Sequence, residues 1–174
     1  MCLIRYKEYP FIERDFSSFD ELLKNTLKTL ELFKGMTRTI LVGPYTATMP
    51  HRAKENIHFL QCTSEILGKN SDFAVLDLTS LRPELCRLAL EEVDKSKGKK
   101  NKSQIDLEKN AIKNGLIYSL HILEKFKKPL IASYCLDSMY FLRDYNRCPG
   151  TKKMYETAQK CKIPCIEFSG LILK

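Results

Sequence analysis

A chain of 174 residues, 44% hydrophobic and 29% charged, is long enough to bury one core and too apolar to be a disordered segment. No apolar run approaches the roughly 18–20 residues of a membrane-spanning helix, and the opening residues Met1 to Glu8 lack the apolar stretch of a signal peptide. The expectation is a single cytoplasmic domain, 1–174, whose net charge of +8 favours phosphorylated ligands or nucleic acid.

Residues 1–16 show no clean period and read as an arm or edge strand. Ser18-Phe19-Asp20-Glu21 is a capping box, in which the serine hydroxyl accepts the Glu21 amide and the Glu21 carboxylate reaches back. Leu22, Leu23, Leu27, Leu30 and Phe33 follow at helical spacing, so residues 1–36 comprise an N-terminal arm and a helix. Thr37 to Val42 is short, β-branched and apolar and reads as a buried central strand.

Pro50 suits the first turn of a helix that carries Ala53, Ile57, Leu60 and Leu67 inward and stops near Gly68. Asp72 to Leu78 reads as a second strand, and Pro83-Glu84 starts a helix running to about Val93. Asp94 to Gln104 holds five lysines among small polar residues and reads as a solvated flexible loop. Ile105 to Lys127 has helical periodicity, Pro129 to Tyr134 reads as a third strand, and residues 137–147 read as a short helix. A last helix opens at Gly150-Thr151 and runs to about Lys160, before a fourth strand at Pro164 to Phe168. Strands alternating with helices predict an α/β fold, a mostly parallel Rossmann- or flavodoxin-like sheet with helices on both faces.

Seven cysteines, at 2, 62, 86, 135, 148, 161 and 165, are odd in number and include no Cys-x-x-Cys. Buried free thiols in a reducing compartment fit better than a zinc site built from Cys148, Cys161, Cys165 and a distant histidine. No metal or cofactor is therefore expected. No aromatic residue interleaves with the lysines of 94–104, so nothing supports a platform for stacked nucleic-acid bases.

In such a sheet, ligands bind outside the carboxyl ends of the strands. Three segments fall there. Gly43, Pro44, Tyr45 and Thr46 follow the first central strand, where glycine permits close backbone approach and the hydroxyls can bond a sugar or phosphate. Asp77 and Thr79 end the second, where the carboxylate can hold a sugar hydroxyl or cap the next helix. Tyr118, Ser119 and His121 lie on the helix that precedes Lys128-Pro129. The Gly150-Thr151 helix start is a weaker anion site.

The order of these motifs resembles the nucleoside 2-deoxyribosyltransferase-like superfamily, and more loosely its TIR-like and SLOG-like relatives. Ile40 to Thr46 (ILVGPYT) is similar to that family's opening nucleotide loop, and Asp72 to Thr79 (DFAVLDLT) to a strand reading D-x-x-[IV]-x-D-L-T. Tyr118 to Leu123 and Lys128 to Ile131 fall where the family has Y-E-L-G-x-A and then G-K-P-[VIL]-[IL]. Residues 150–168 are similar to the last helix and strand of SLOG-like binders. The resemblance implies a nucleoside, nucleotide or NAD-like ligand, N-glycosidic cleavage or transfer, and a homo-oligomer of the kind relatives often form. In this register Ser119 stands where the family's catalytic glutamate would be, and serine cannot readily stabilise oxocarbenium charge. Glu84, in the turn after Asp77, is then the candidate carboxylate, with Asp77 holding the sugar. Three readings stay open: a glycosidase or deoxyribosyltransferase, a non-catalytic nucleotide sensor or sequestering protein, and a protein-interaction module without a small ligand.

Overall fold

The computed structural model describes residues 2–6, 8, 15–43, 50–96, 101–113 and 120–168, with the side chains of 50–54, 111, 113 and 120 left aside. The strands are β1 (Leu3–Ile4), β2 (Thr37–Val42), β3 (Phe73–Leu76), β4 (Ser138–Leu142) and β5 (Cys165–Phe168). All pair in parallel in the order β1-β3-β2-β4-β5. Between them run α1 (Phe19–Glu31), α2 (Pro50–Gly68), α3 (Arg82–Lys95), α4 (Lys102–Lys113), α5 (Leu120–Ile122), α6 (Lys128–Ala132) and α7 (Pro149–Lys160). A π-helical turn, Leu123–Lys127, joins α5 to α6, and a 3₁₀ turn, Tyr145–Arg147, precedes α7. The parallel α/β architecture expected from the sequence is the one found.

Along the central strands successive side chains enter two different cores, and these sort the helices to the two faces. Ile40, Val42, Ala74, Leu76, Met139 and Phe141 point into a large core with Phe19, Leu22 and Leu30 of α1, Leu85 and Leu88 of α3, Leu123 and Phe126 of the π turn, and Met154 and Ala158 of α7. Leu3, Leu41, Val75 and Phe168 face the other way, onto Leu60, Phe59 and Leu67 of α2.

The N-terminus of α1 is capped nearly as its sequence specifies. The Ser18 hydroxyl accepts the Glu21 amide at 3.2 Å, while the Glu21 carboxylate accepts from the Ser17 amide and hydroxyl at 2.9 and 2.8 Å. That is one residue earlier than a standard box requires.

Two segments differ from the sequence expectation. Pro129 to Tyr134, expected as a strand, is helical through Ala132. A short apolar run fits a buried strand or a buried helix equally; here Leu123, Phe126, Leu130 and Ile131 are all fully buried at helical spacing. Pro129 lacks an N–H, and the π turn just before it has already altered the ladder, with the Lys128 amide donating to the Leu123 carbonyl. The strand lies instead at Ser138–Leu142, within the segment 137–147 expected as a short helix. Its Met139 and Phe141 enter one core while Tyr140 and Leu142 pack on the other, a period of two. The lysine-rich loop is also shorter than expected at both ends, because α3 continues to Lys95 and α4 starts at Lys102; residues 97–100 lie outside the described set.

At the amino edge of the sheet Arg38 locks β2 to the turn before β4. Its Nε and Nη2 donate to the two oxygens of Asp137 at 2.9 and 3.0 Å, and its amide donates to the same carboxylate at 2.8 Å. The Asp137 carboxyl is held below its ordinary value, chiefly by the Arg38 guanidinium. Depression of a folded-state pKa means that this pair stabilises the fold above the unfolded value near ~4 and stops doing so as the pH falls through the lower folded value. Asp137→Asn is expected to lower the melting temperature at pH 7, with the gap to wild type closing in thermal melts as the pH falls below about 4.

Candidate functional site

The strand order creates one natural crevice. From the carboxyl end of β2 the chain passes through α2 to β3 on one side, and from β4 it passes through α7 to β5 on the other. The connections diverge between β2 and β4, and this is the switch point at which open parallel sheets take ligands.

Gly43 leaves β2 at this point. A Cβ there would stand 3.0 Å from Leu60 Cδ1 and 3.2 Å from Leu142 Cδ2, so the absence of a side chain is what lets the strand end pack so closely. Across the crevice, α7 begins at Pro149, with Cys148 as a cap residue that supplies no side-chain bond. The first bond into this helix is from the Lys152 amide to the Cys148 carbonyl at 2.9 Å, so the Gly150 and Thr151 amides precede its ladder at the positive end of the helix dipole. Thr151 Oγ1 donates to the Gly43 carbonyl at 3.3 Å and ties the two rims together. Arg143, Arg147, Lys152 and Lys153 are exposed around the same end. A stacked pair, Tyr145 and Tyr155, with ring centroids 4.7 Å apart, packs against Phe141 and supports this corner from below.

The two expected carboxylates lie on the other half of the carboxyl edge, beyond β1 and β3. Asp77 is almost completely buried. Its Oδ1 accepts from the Thr79 amide at 2.9 Å and the Thr79 hydroxyl at 2.6 Å, and its Oδ2 faces Arg5 Nε at 3.5 Å. Asp77 thus organises the turn into α3 rather than capping the helix itself, whose first residues lack a side-chain cap.

Glu84 is 5% exposed and more heavily engaged still. Its Oε1 accepts from the Phe16 amide at 3.0 Å and from Arg87 Nη2 at 2.6 Å, and its Oε2 accepts from Arg87 Nε at 3.0 Å. Arg87 also donates to the Phe16 carbonyl and pairs with Glu91. Glu84 and Arg87 therefore clasp both backbone groups of residue 16. The Tyr6 hydroxyl donates to Glu84 as well; burial, followed by the negative charge of Glu84, pushes it up to about 12. A carboxylate committed to this many donors is built to anchor the chain.

The remaining expected residues divide. Gly43 lies at the crevice, and Thr79 serves Asp77. His121 is half-buried with its Nε2 3.7 Å from Glu108 on α4, away from the crevice rims. Pro44, Tyr45, Thr46, Tyr118 and Ser119 lie outside the described residues. The segment set against the family's G-K-P strand is helical. Among the described residues no group of three or more His, Cys, Asp or Glu side chains is gathered for a metal ion, and no helix is long and apolar enough to cross a membrane. Sequence reasoning missed Arg5, Arg87 and Arg143; only the i,i+3 spacing of Glu84 and Arg87 carried a readable signal.

No protein-family model, curated protein or solved structure matches this chain.

The clasp makes a clear demand. Glu84→Ala leaves Arg87 and the Phe16 amide without their acceptor, and because Arg87 is partly hydrated the cost is expected at about 2–3 kcal/mol in urea unfolding. Glu84→Gln, which keeps one acceptor oxygen, is expected to cost less.

Proposed function

We propose that this domain binds a nucleoside or nucleotide across the β2–β4 crevice as a non-catalytic sensor or sequestering protein. The observation that carries this reading is the reversal of strand order beside Gly43. It sets a side-chain-free strand end, the Thr151 hydroxyl and the start of α7 side by side at the carboxyl edge of the sheet. A planar base can lie against backbone at such a rim, and a phosphate is favoured where helix amides and exposed cations converge. The sequence resemblance points to the same ligand class.

A second reading, cleavage or transfer at an N-glycosidic bond, draws on the buried Asp77 carboxylate one strand away from Gly43. On that reading Asp77 must exchange its Arg5 contact for the sugar, and Glu84 serves the fold alone. The two readings separate in one experiment. Purified protein is incubated with nucleosides, deoxynucleotides and NAD, and melting temperature and released base are followed together. The binding reading expects stabilisation by one of these compounds without free base, and loss of that stabilisation in Gly43→Val with the ligand-free melt of the variant measured alongside. Free base that persists in Glu84→Gln and vanishes in Asp77→Asn establishes the enzyme reading instead. Neither stabilisation nor base release with any of these compounds contradicts both.

A further inference from the structure

The outer side of α2 carries a thiol and an imidazole that take no part in the core. The helix lies on the sheet through Phe59, Leu60 and Leu67, with Thr63 and Ser64 buried on the same side. At about 3.6 residues per turn, His58 and Cys62 fall on the side away from the sheet, one turn apart. His58 is exposed and Cys62 half-buried. The other cysteines are placed differently. Cys2, Cys86, Cys135, Cys161 and Cys165 pack against the main core and Cys148 is buried, whereas Cys62 belongs to neither core.

The Cys62 Sγ lies 3.7 Å from His58 Nε2 and 3.9 Å from His58 Nδ1. A tetrahedral zinc ion, with about 2.3 Å to sulfur and about 2.0–2.1 Å to nitrogen, holds two such ligand atoms roughly 3.5–3.6 Å apart. The pair thus already stands close to one edge of a zinc tetrahedron. The ring is exposed, so it can turn about its Cβ–Cγ bond to aim a nitrogen lone pair at a metal beside the sulfur.

We propose that His58 and Cys62 chelate a borderline-soft divalent cation, Zn²⁺ above all, on the outer side of α2. Thiolate and imidazole are the ligands that such an ion prefers, while Mg²⁺ and Ca²⁺ take oxygen. Two ligands four residues apart on one helix face are also the arrangement by which His-Glu-x-x-His helices hold zinc. Glu65, three residues beyond Cys62, is engaged by Arg5, so the site is a two-ligand chelate that leaves the remaining positions to water. On binding, Cys62 gives its thiol proton to solvent, and sulfur and nitrogen each donate a lone pair in place of a metal-bound water; neither an oxidant nor a reductant is needed. This assignment does not depend on nucleotide binding.

The test is cobalt substitution on the full chain. Co²⁺ is titrated into the reduced protein, and thiolate ligation is read from its charge-transfer absorption in the near ultraviolet. The band is expected to saturate at one cobalt per chain, to be displaced by Zn²⁺, and to be unmoved by excess Mg²⁺. It should vanish in Cys62→Ser, need at least about tenfold more cobalt in His58→Ala, and persist in Cys135→Ser. In wild type, Zn²⁺ should also slow the alkylation of Cys62 by iodoacetamide, mapped by peptide mass spectrometry, without slowing that of Cys135. Absence of the band in wild type, its survival in Cys62→Ser, or alkylation of Cys62 unaltered by zinc overturns the proposal. Because alkylation is read on wild type, a variant that fails to fold does not rescue it.

Discussion

The parallel pairing of β2 with β4 is the constraint on which the rest of this molecule depends. It brings Thr39 beside Ser138 and Val42 beside Phe141 across some hundred residues of chain, and it is fastened at both ends of the sheet. At the amino edge the fastening is ionic, through Arg38 and Asp137; at the carboxyl edge it is the bond from Thr151 to the Gly43 carbonyl. The described helices inserted between these strands pack onto the two faces, while β3 joins the sheet on the far side of β2. The crevice exists because the chain leaves the two paired strands in opposite directions. Pairing of such high sequence separation is entropically costly to form, which is why the joint is both apolar and ionically pinned.

The carboxyl edge divides into two regions of different character. Over β1 and β3 the polar groups are satisfied by one another: Asp77 by Thr79 and Arg5, Glu84 by Arg87, Phe16 and Tyr6. Such closed networks rigidify and specify a fold. Over β2 and β4 the balance is different, with the start of α7 beside Gly43 and the exposed Arg143, Arg147, Lys152 and Lys153 in the neighbouring segments. The first region holds the N-terminal arm to the domain, and the second is the proposed ligand site.

Much of this was legible in the residues, and the failures have physical causes. The strand at Thr37–Val42 was plain because β-branched residues filled a run too short for a helix, bounded by Gly35 and Gly43. The α1 start was plain because Ser18 and Glu21 stand at capping distance. Leu130-Ile131 misled because a four-residue apolar run has no period of its own; the helix continues there only because Leu123 and Phe126 already lie on its buried side and a π turn accommodates Pro129. β4 was missed because Ser138 to Leu142 alternates between two apolar faces, so that both phases look hydrophobic. Asp77 follows β3, yet a sequence cannot show that Glu84 would be met by Arg87 and by the amide of Phe16, 68 residues earlier in the chain.

The proposed ligand lies over the β2–β4 crevice and not on the Asp77–Glu84 network. Amide chemical shifts of the labelled protein, titrated with whichever nucleotide stabilises it most, test this residue by residue. Perturbations are expected to concentrate at Gly43, Arg143 and Gly150 to Lys153, with the amides of Phe16, Thr79 and Glu84 nearly unmoved. Perturbations centred on Asp77 to Glu84 and Phe16, with Gly43 and Thr151 unaffected, would contradict it.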